Sequence, residues 1–267
     1  MNAQQPLRLA MWSGPRNIST AMMRSWGNRD DTVVVDEPLY AHYLAVTRKP
    51  HPGAEEVIAT GATDWRKVVA GLTGDSDMNS SRAENGSAAP VPQGLRDLHC
   101  GKRIYYQKHM THHLLPGMER EWLSGLTNCF LIRDPREVLA SYTKVIEAPT
   151  LEDTGFPQQA EIFAWVKEHT GGMPLVLDAA DVLRDPRKML GLLCDAISIE
   201  FQDSMLAWPS GKRETDGVWG KYWYGEVEKS TGFRPYQPKN VEVPHRLSAL
   251  CGQCEEYYDA LYEQRLS

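Results

Sequence analysis

Four groups of polar residues in this 267-residue chain have types and spacings that could do chemistry. In Gly14-Pro15-Arg16-Asn17-Ile18-Ser19-Thr20, a turn leads from an apolar run into a helix-forming one. Backbone N–H groups and a helix N-terminus converge on an anion in such a turn. Arg16 and the hydroxyls of Ser19 and Thr20 add a fixed charge and donors suited to phosphate or sulfate. An ordinary strand–helix turn capped by Ser or Thr accounts for the same residues without a ligand. Asp36 and Glu37 close a second apolar run and are candidates for base work at a strand end. The alternative is that one of them caps a helix beginning at Pro38; Asp36 suits that bracing role better, and Glu37 the functional one. Lys108 closes a third run and is followed by His109, His112 and His113. A Lys beside three His at a strand end is rarely core, although His113 alone fits a core position. Metal ligation there lacks adjacent acidic partners. Arg133 ends a fourth run before Asp134-Pro135, and a helix begun at Pro135 places Ser141 about two turns in. A surface Arg beside a capping Asp134 is the plainer alternative.

These groups need a scaffold of strands and helices. Leu9–Trp12, Thr32–Val35, Arg103–Lys108, Asn128–Ile132 and Pro174–Leu177 read as short buried strands. Helical patterns fall at 18–29, within 39–72, from Pro135, over 158–170, from Asp185-Pro186, and over 244–263. Polar residues 73–94 read as a mobile loop. Residues 208–240, rich in Gly, Trp and Tyr, read as a long irregular segment of the kind that is usually functional. The length fits one domain spanning 1–267. A net charge of −6 gives no electrostatic footprint for nucleic acid or membrane. The first residues lack a signal-peptide core, and no apolar run approaches about 18 residues. Five cysteines, an odd number, suit reduced thiols, and together these features predict a cytoplasmic protein. Cys251-Gly-Gln-Cys254 has no preceding strand and reads as a structural pair on a helix face.

The first turn is similar to a Walker A loop, but Ser19, Thr20 and Ala21 stand where that loop has Gly, Lys and Ser or Thr. This argues against ATP or GTP hydrolysis. It resembles more closely the opening motif of PAPS-dependent sulfotransferases, Pro-Lys-Ser-Gly-Thr-Thr. Pro15-Arg16-Asn17-Ile18-Ser19-Thr20 follows that pattern, with Ile18 in place of Gly and Ala21 where the family often has an adenine-stacking Trp. Glu37-Pro38-Leu39-Tyr40 resembles the Glu-Pro-aromatic segment whose Glu is the base in carbohydrate sulfotransferases. Lys108 matches the Lys of the family's Lys-Thr-His segment; the His is displaced, with His109 one residue on and Met110 two. Arg133 and Ser141 reproduce the family's 3′-phosphate pair. Lys212-Arg213-Glu214-Thr215-Asp216-Gly217-Val218-Trp219 resembles the Arg-Lys-Gly-x-x-Gly-Asp-Trp segment that closes the nucleotide site.

The resemblance implies a P-loop-like three-layer α/β/α sandwich with a central parallel sheet. It also implies sulfuryl transfer from PAPS to a hydroxyl or amine of a small molecule, with no metal. Glu37, Lys108, Arg16 and His109 are the implied catalytic residues. Gly14, Arg16, Asn17, Ile18, Ser19, Thr20, Arg133, Ser141, Lys212, Arg213 and Gly217 would hold the nucleotide. An atypical kinase or NTPase, a non-catalytic nucleotide-binding protein, and transfer from another phosphorylated donor stay open.

Overall fold

The computed structural model describes residues 6–74, 102–238 and 241–267. Its centre is β1 (Leu7–Ser13), where Leu9, Ala10, Met11 and Trp12 are all fully buried. A strand apolar on both faces must be covered on both, which is the condition of a central parallel strand. Chain order continues with α1 (Ser19–Gly27), β2 (Thr32–Asp36), α2 (Tyr40–Thr47), α3 (Ala54–Thr60), α4 (Trp65–Thr73) and β3 (Ile104–Met110). A 3-10 turn (Thr111–His113), β4 (Thr127–Ile132), α5 (Pro135–Tyr142), α6 (Leu151–Thr154), α7 (Phe156–Thr170) and β5 (Leu175–Asp178) follow. The chain ends with α8 (Ala179–Arg184), α9 (Pro186–Ala196), α10 (Gly220–Trp223) and α11 (Ser248–Tyr262).

The five strands form one sheet in the order β2-β3-β1-β4-β5, and every pairing is parallel. On one face, Met22, Met23 and Trp26 of α1 and Leu190 and Leu193 of α9 pack on Leu9, Met11 and Tyr106. On the other, Val69 of α4, Ile162 and Phe163 of α7 and Leu261 of α11 pack on Trp12, Tyr105 and Phe130. This is the α/β/α sandwich expected. The register sets Asp36 opposite Lys108 and Trp12 opposite His109, so the candidate residues gather at the carboxyl ends of the strands, where open parallel sheets carry their ligands.

Local chemistry explains the helix starts. The Asp134 carboxylate accepts from Arg136 N at 2.8 Å, and Asp185 from Lys188 N at 3.0 Å. Each precedes a Pro at the first helical position, a place where its missing N–H costs nothing. The helix expected from Pro38 begins instead at Tyr40, with no side-chain cap, so neither Asp36 nor Glu37 serves as one. Cys251 and Cys254 lie inside α11 as buried free thiols. Most of the loop expected at 73–94 lies outside the described residues, Thr73 and Gly74 closing α4.

The late segment is less irregular than its composition suggests, because α10 forms within it. It is pinned to α1 by Arg24 and Asp216, whose guanidinium and carboxylate meet through two parallel contacts, Nη2 to Oδ2 at 2.6 Å. The two side chains are only 2% and 8% exposed. Removing one partner strands the other as a buried charge. Asp216→Ala is expected to cost about 3–5 kcal/mol in urea unfolding, and the paired change Arg24→Met/Asp216→Leu to recover most of it.

Candidate active site

After β1 ends at Ser13 the chain passes close to the Thr154 carbonyl: a Cβ on Gly14 would sit 2.7 Å from that oxygen. The turn that follows needs one left-handed residue, and Arg16 supplies it (φ 57°). Ile18, which stands where the resembled family has Gly, keeps an ordinary backbone (φ −86°). The Asn17 amide donates to Leu131 O at 2.8 Å, tying the turn to the end of β4. No side chain caps α1, so the N–H groups of its first turn point outward without an intrahelical acceptor.

Above that helix end, Arg16 Nε donates to Ser141 Oγ at 2.9 Å, and Arg133 Nη1 donates to Arg16 O at 2.7 Å. Arg16, Arg133 and Ser141 therefore meet although they come from three separate stretches. Arg133 is fixed by Glu137, one turn along α5, with Nη2 2.6 Å from Oε2; Tyr236 donates to the other Glu137 oxygen at 3.1 Å. Arg16 makes no ion pair among the described residues. Burial, and then the neighbouring Arg133 charge, hold its pKa below the usual arginine value. A half-buried cation without a counter-ion at an uncapped helix N-terminus has the chemistry to hold an anion. A cavity of about 190 Å³ opens beside Arg133, lined also by Glu137, Asp178, Leu183, Tyr236 and Tyr258.

The second half of the site is a buried charge cluster at the ends of β2 and β3. Glu37 has a left-handed backbone (φ 39°), and its N–H donates to Lys108 O at 2.9 Å, extending the strand pairing by one bond. Non-glycine residues held there are uncommon and gather at functional sites. The Lys108 ammonium donates to Asp36 Oδ1 at 2.9 Å, to Glu37 Oε1, and to Tyr224 Oη at 2.9 Å. Tyr224 donates in turn to Asp36 at 2.7 Å and accepts from Trp219 Nε1 at 3.1 Å. Gly217 N also reaches Asp36, at 3.2 Å. Burial opposes the Lys108 charge, but the two carboxylates outweigh it and raise its pKa. Burial raises the Glu37 pKa; Lys108 offsets part of this, and the Asp36 charge adds to it.

Several sequence-based assignments need correction. His109 is not at the base: it lies on the opposite face of the sheet from Lys108, stacked on Trp12 with centroids 4.3 Å apart. Burial pushes its pKa down to about 3. Lys108 has no hydrogen free for a transferring group, since an ammonium has three donors and all three are engaged. Gly217 sits in the carboxylate cluster. Arg213 donates to Pro209 O at 3.0 Å and lines a separate cavity of about 540 Å³ with Arg24, Val33 and Asp36, while Lys212 is exposed. No hydrogen bond or ion pair joins Lys212 or Arg213 to Arg133 or Ser141 among the described residues. Tyr224, Glu137, the direct part played by Asp36 and the bond from Trp219 to Tyr224 escaped the sequence reading. Among the described residues no group of three or more His, Cys, Asp or Glu could hold a metal ion.

A family model described as a sulfotransferase domain matches residues 7–85 and 70–245. Two proteins of Arabidopsis thaliana, branched-chain-amino-acid aminotransferase-like proteins 1 and 2, are 35% and 32% identical over 86% and 94% of this chain. The chain spans only 37% and 40% of their lengths. In structure it is similar to the sulfotransferase domain of the Synechococcus PCC 7002 olefin synthase. That match has a TM-score of 0.57 at 16% identity and covers 97% of each chain, which shows a shared fold.

Tyr224 gives the test of the charge cluster. Tyr224→Phe takes an acceptor from Lys108 and a donor from Asp36 inside a buried network. The expected loss is about 1–3 kcal/mol in denaturant unfolding, whereas Tyr222→Phe, at an exposed ring, should change stability by less than about 0.5 kcal/mol.

Proposed function

Because this chain belongs to the sulfotransferase-domain family, we propose that it moves a sulfuryl group from 3′-phosphoadenosine 5′-phosphosulfate (PAPS) to a hydroxyl or amine of a small molecule. The observation that carries this reading is Arg16: a half-buried cation bonded to Ser141, backed by Arg133, with no counter-ion among the described residues. Two arginines, a Ser hydroxyl and the open start of α1 form a site for a ligand with more than one anionic group. PAP, the product nucleotide, is such a ligand. Glu137 and the Arg16 carbonyl hold the Arg133 guanidinium in one plane, and Arg133 with Ser141 is assigned to the 3′-phosphate. The cavity beside Arg133 offers room for the nucleoside.

The chemistry follows from the two charge clusters. The acceptor oxygen or nitrogen forms a bond to sulfur while the bond from sulfur to the phosphate oxygen breaks. The acceptor proton goes to Glu37, and the leaving oxygen takes up negative charge. Arg16 and the first N–H groups of α1 stabilise that charge, as in other in-line transfers where positioning and neutralisation do most of the work. Lys108 is a positioning residue here: it holds Glu37 in an ionised, fixed orientation and does not touch the transferring group.

Calorimetric titration tests the nucleotide site. PAP is expected to bind more tightly than adenosine 5′-phosphate. Arg133→Ala should weaken PAP about 10- to 100-fold, corresponding to the about 1.5–3 kcal/mol of a charge-assisted bond, and should change adenosine 5′-phosphate binding much less. Equal affinity for the two nucleotides, or a preference for ATP with magnesium, would defeat the proposal.

The pH dependence tests the base. Glu37 must be deprotonated to accept a proton, and its pKa is raised by burial. The kcat/KM for sulfuryl transfer should therefore fall as pH drops through a value above the ordinary carboxylate pKa of about 4.3. In Glu37→Gln that acid limb should vanish along with most of the rate.

A further inference from the structure

Beyond Met110 the 3-10 turn Thr111–His113 carries the chain back across the strand ends, bringing His113 to Glu37. His113 Nδ1 is buried and has no hydrogen-bond partner among the described residues. It lies 4.0 Å from Glu37 Oε2. The other Glu37 oxygen is committed to Lys108, so the oxygen facing His113 is the uncommitted one. The imidazole is held in place by a face-to-face stack on Tyr40, with centroids 4.6 Å apart and planes within 7°, and by Tyr43 at 4.8 Å.

A buried polar atom without a partner needs an explanation. Burial, followed by the neighbouring His112, keeps the His113 ring neutral. A neutral imidazole carries one proton, and a carboxylate facing Nδ1 favours its residence there. A gap of 4.0 Å is too long for a direct hydrogen bond. It is, however, the separation of two groups that share one atom: an oxygen about 2.8 Å from both would see them at roughly 90°. Such an atom must give a proton to one side and accept from the other.

We propose that the acceptor is a hydroxyl compound, and that its oxygen is held between Glu37 Oε2, to which it donates, and His113 Nδ1, from which it accepts. His113 is then a further catalytic residue, one that binds the attacking oxygen and keeps its own proton throughout. The O–H bond breaks toward Glu37 as the O–S bond forms. A protonated amine has no lone pair to offer His113, and aliphatic amines are protonated at neutral pH. The site therefore selects alcohols or phenols. The inference rests on the reading of Glu37 as the base.

The tautomer can be measured on the free protein without any substrate. In long-range 1H–15N spectra of 15N-histidine-labelled protein, with the signal assigned through His113→Asn, the neutral ring should carry its proton on Nδ1. A proton on Nε2 would overturn the proposal. With labelled PAPS, transfer to 4-methylbenzyl alcohol should exceed transfer to 4-methylbenzylamine. His113→Leu should lower kcat/KM for the alcohol about 100-fold, and His113→Asn, whose amide nitrogen replaces Nδ1, should recover to within about tenfold of the unaltered protein. PAP binding unchanged in both variants establishes that they are folded. An undiminished His113→Leu, or preference for the amine, would overturn the proposal; if neither compound is turned over, the tautomer decides. Loss of PAP binding in the unaltered protein would instead remove the sulfuryl-transfer reading and leave the tautomer result standing.

Discussion

The site depends on one buried ammonium. Lys108 sits in the sheet interior with its side chain 1% exposed. An unpaired charge there would cost several kcal/mol. It is tolerable only because Asp36, Glu37 and Tyr224 together accept all three of its hydrogens. Asp36 and Glu37 come from the end of β2, Lys108 from β3, and Tyr224 from the segment after α10. Satisfying one charge thus fixes three parts of the chain relative to one another. Glu37 is held by this arrangement in a backbone conformation it would not choose alone.

The strand ends carry two electrostatic zones with different tasks. Around the turn after β1 the charge is positive and unbalanced: Arg133 is paired with Glu137, but Arg16 has no counter-ion among the described residues. Around the end of β2 two carboxylates share one ammonium, and the balance is negative. The first zone can take up an anion and the charge that develops on it. The second can keep a carboxylate ready to receive a proton.

Much of this was legible in the residues. The apolar runs marked the five strands, the resemblance implied their parallel sheet, and Pro186 after Asp185 marked a helix start correctly. The resemblance, which put Arg16, Arg133 and Ser141 around one nucleotide, agrees with their meeting in the structure. His109 was misplaced although the sequence contained the objection: neighbours on a strand point to opposite faces, so Lys108 and His109 cannot both face Glu37. The placement of Arg213 beside a separate cavity was not legible, because Asp216 draws its segment to Arg24 and an ion pair between residues so far apart leaves no local trace. Tyr224 was missed for the same reason. A tyrosine among other aromatics does not reveal which of them sends its hydroxyl into a buried charge.

The Tyr224 hydroxyl and Asp36 stand 188 positions apart, and this separation bears on how the molecule assembles. Loop closure over such a span is paid in chain entropy before its contacts give any return. The strands can register through their own apolar faces, but Lys108 cannot be fully satisfied until the late segment has docked. Segments with few local contacts are also the ones that open first under native conditions. The carboxylate cluster at the end of β2 would therefore be completed late in folding and lost early when the late segment detaches, while the turn after β1, built close to β1 and β4, would outlast it.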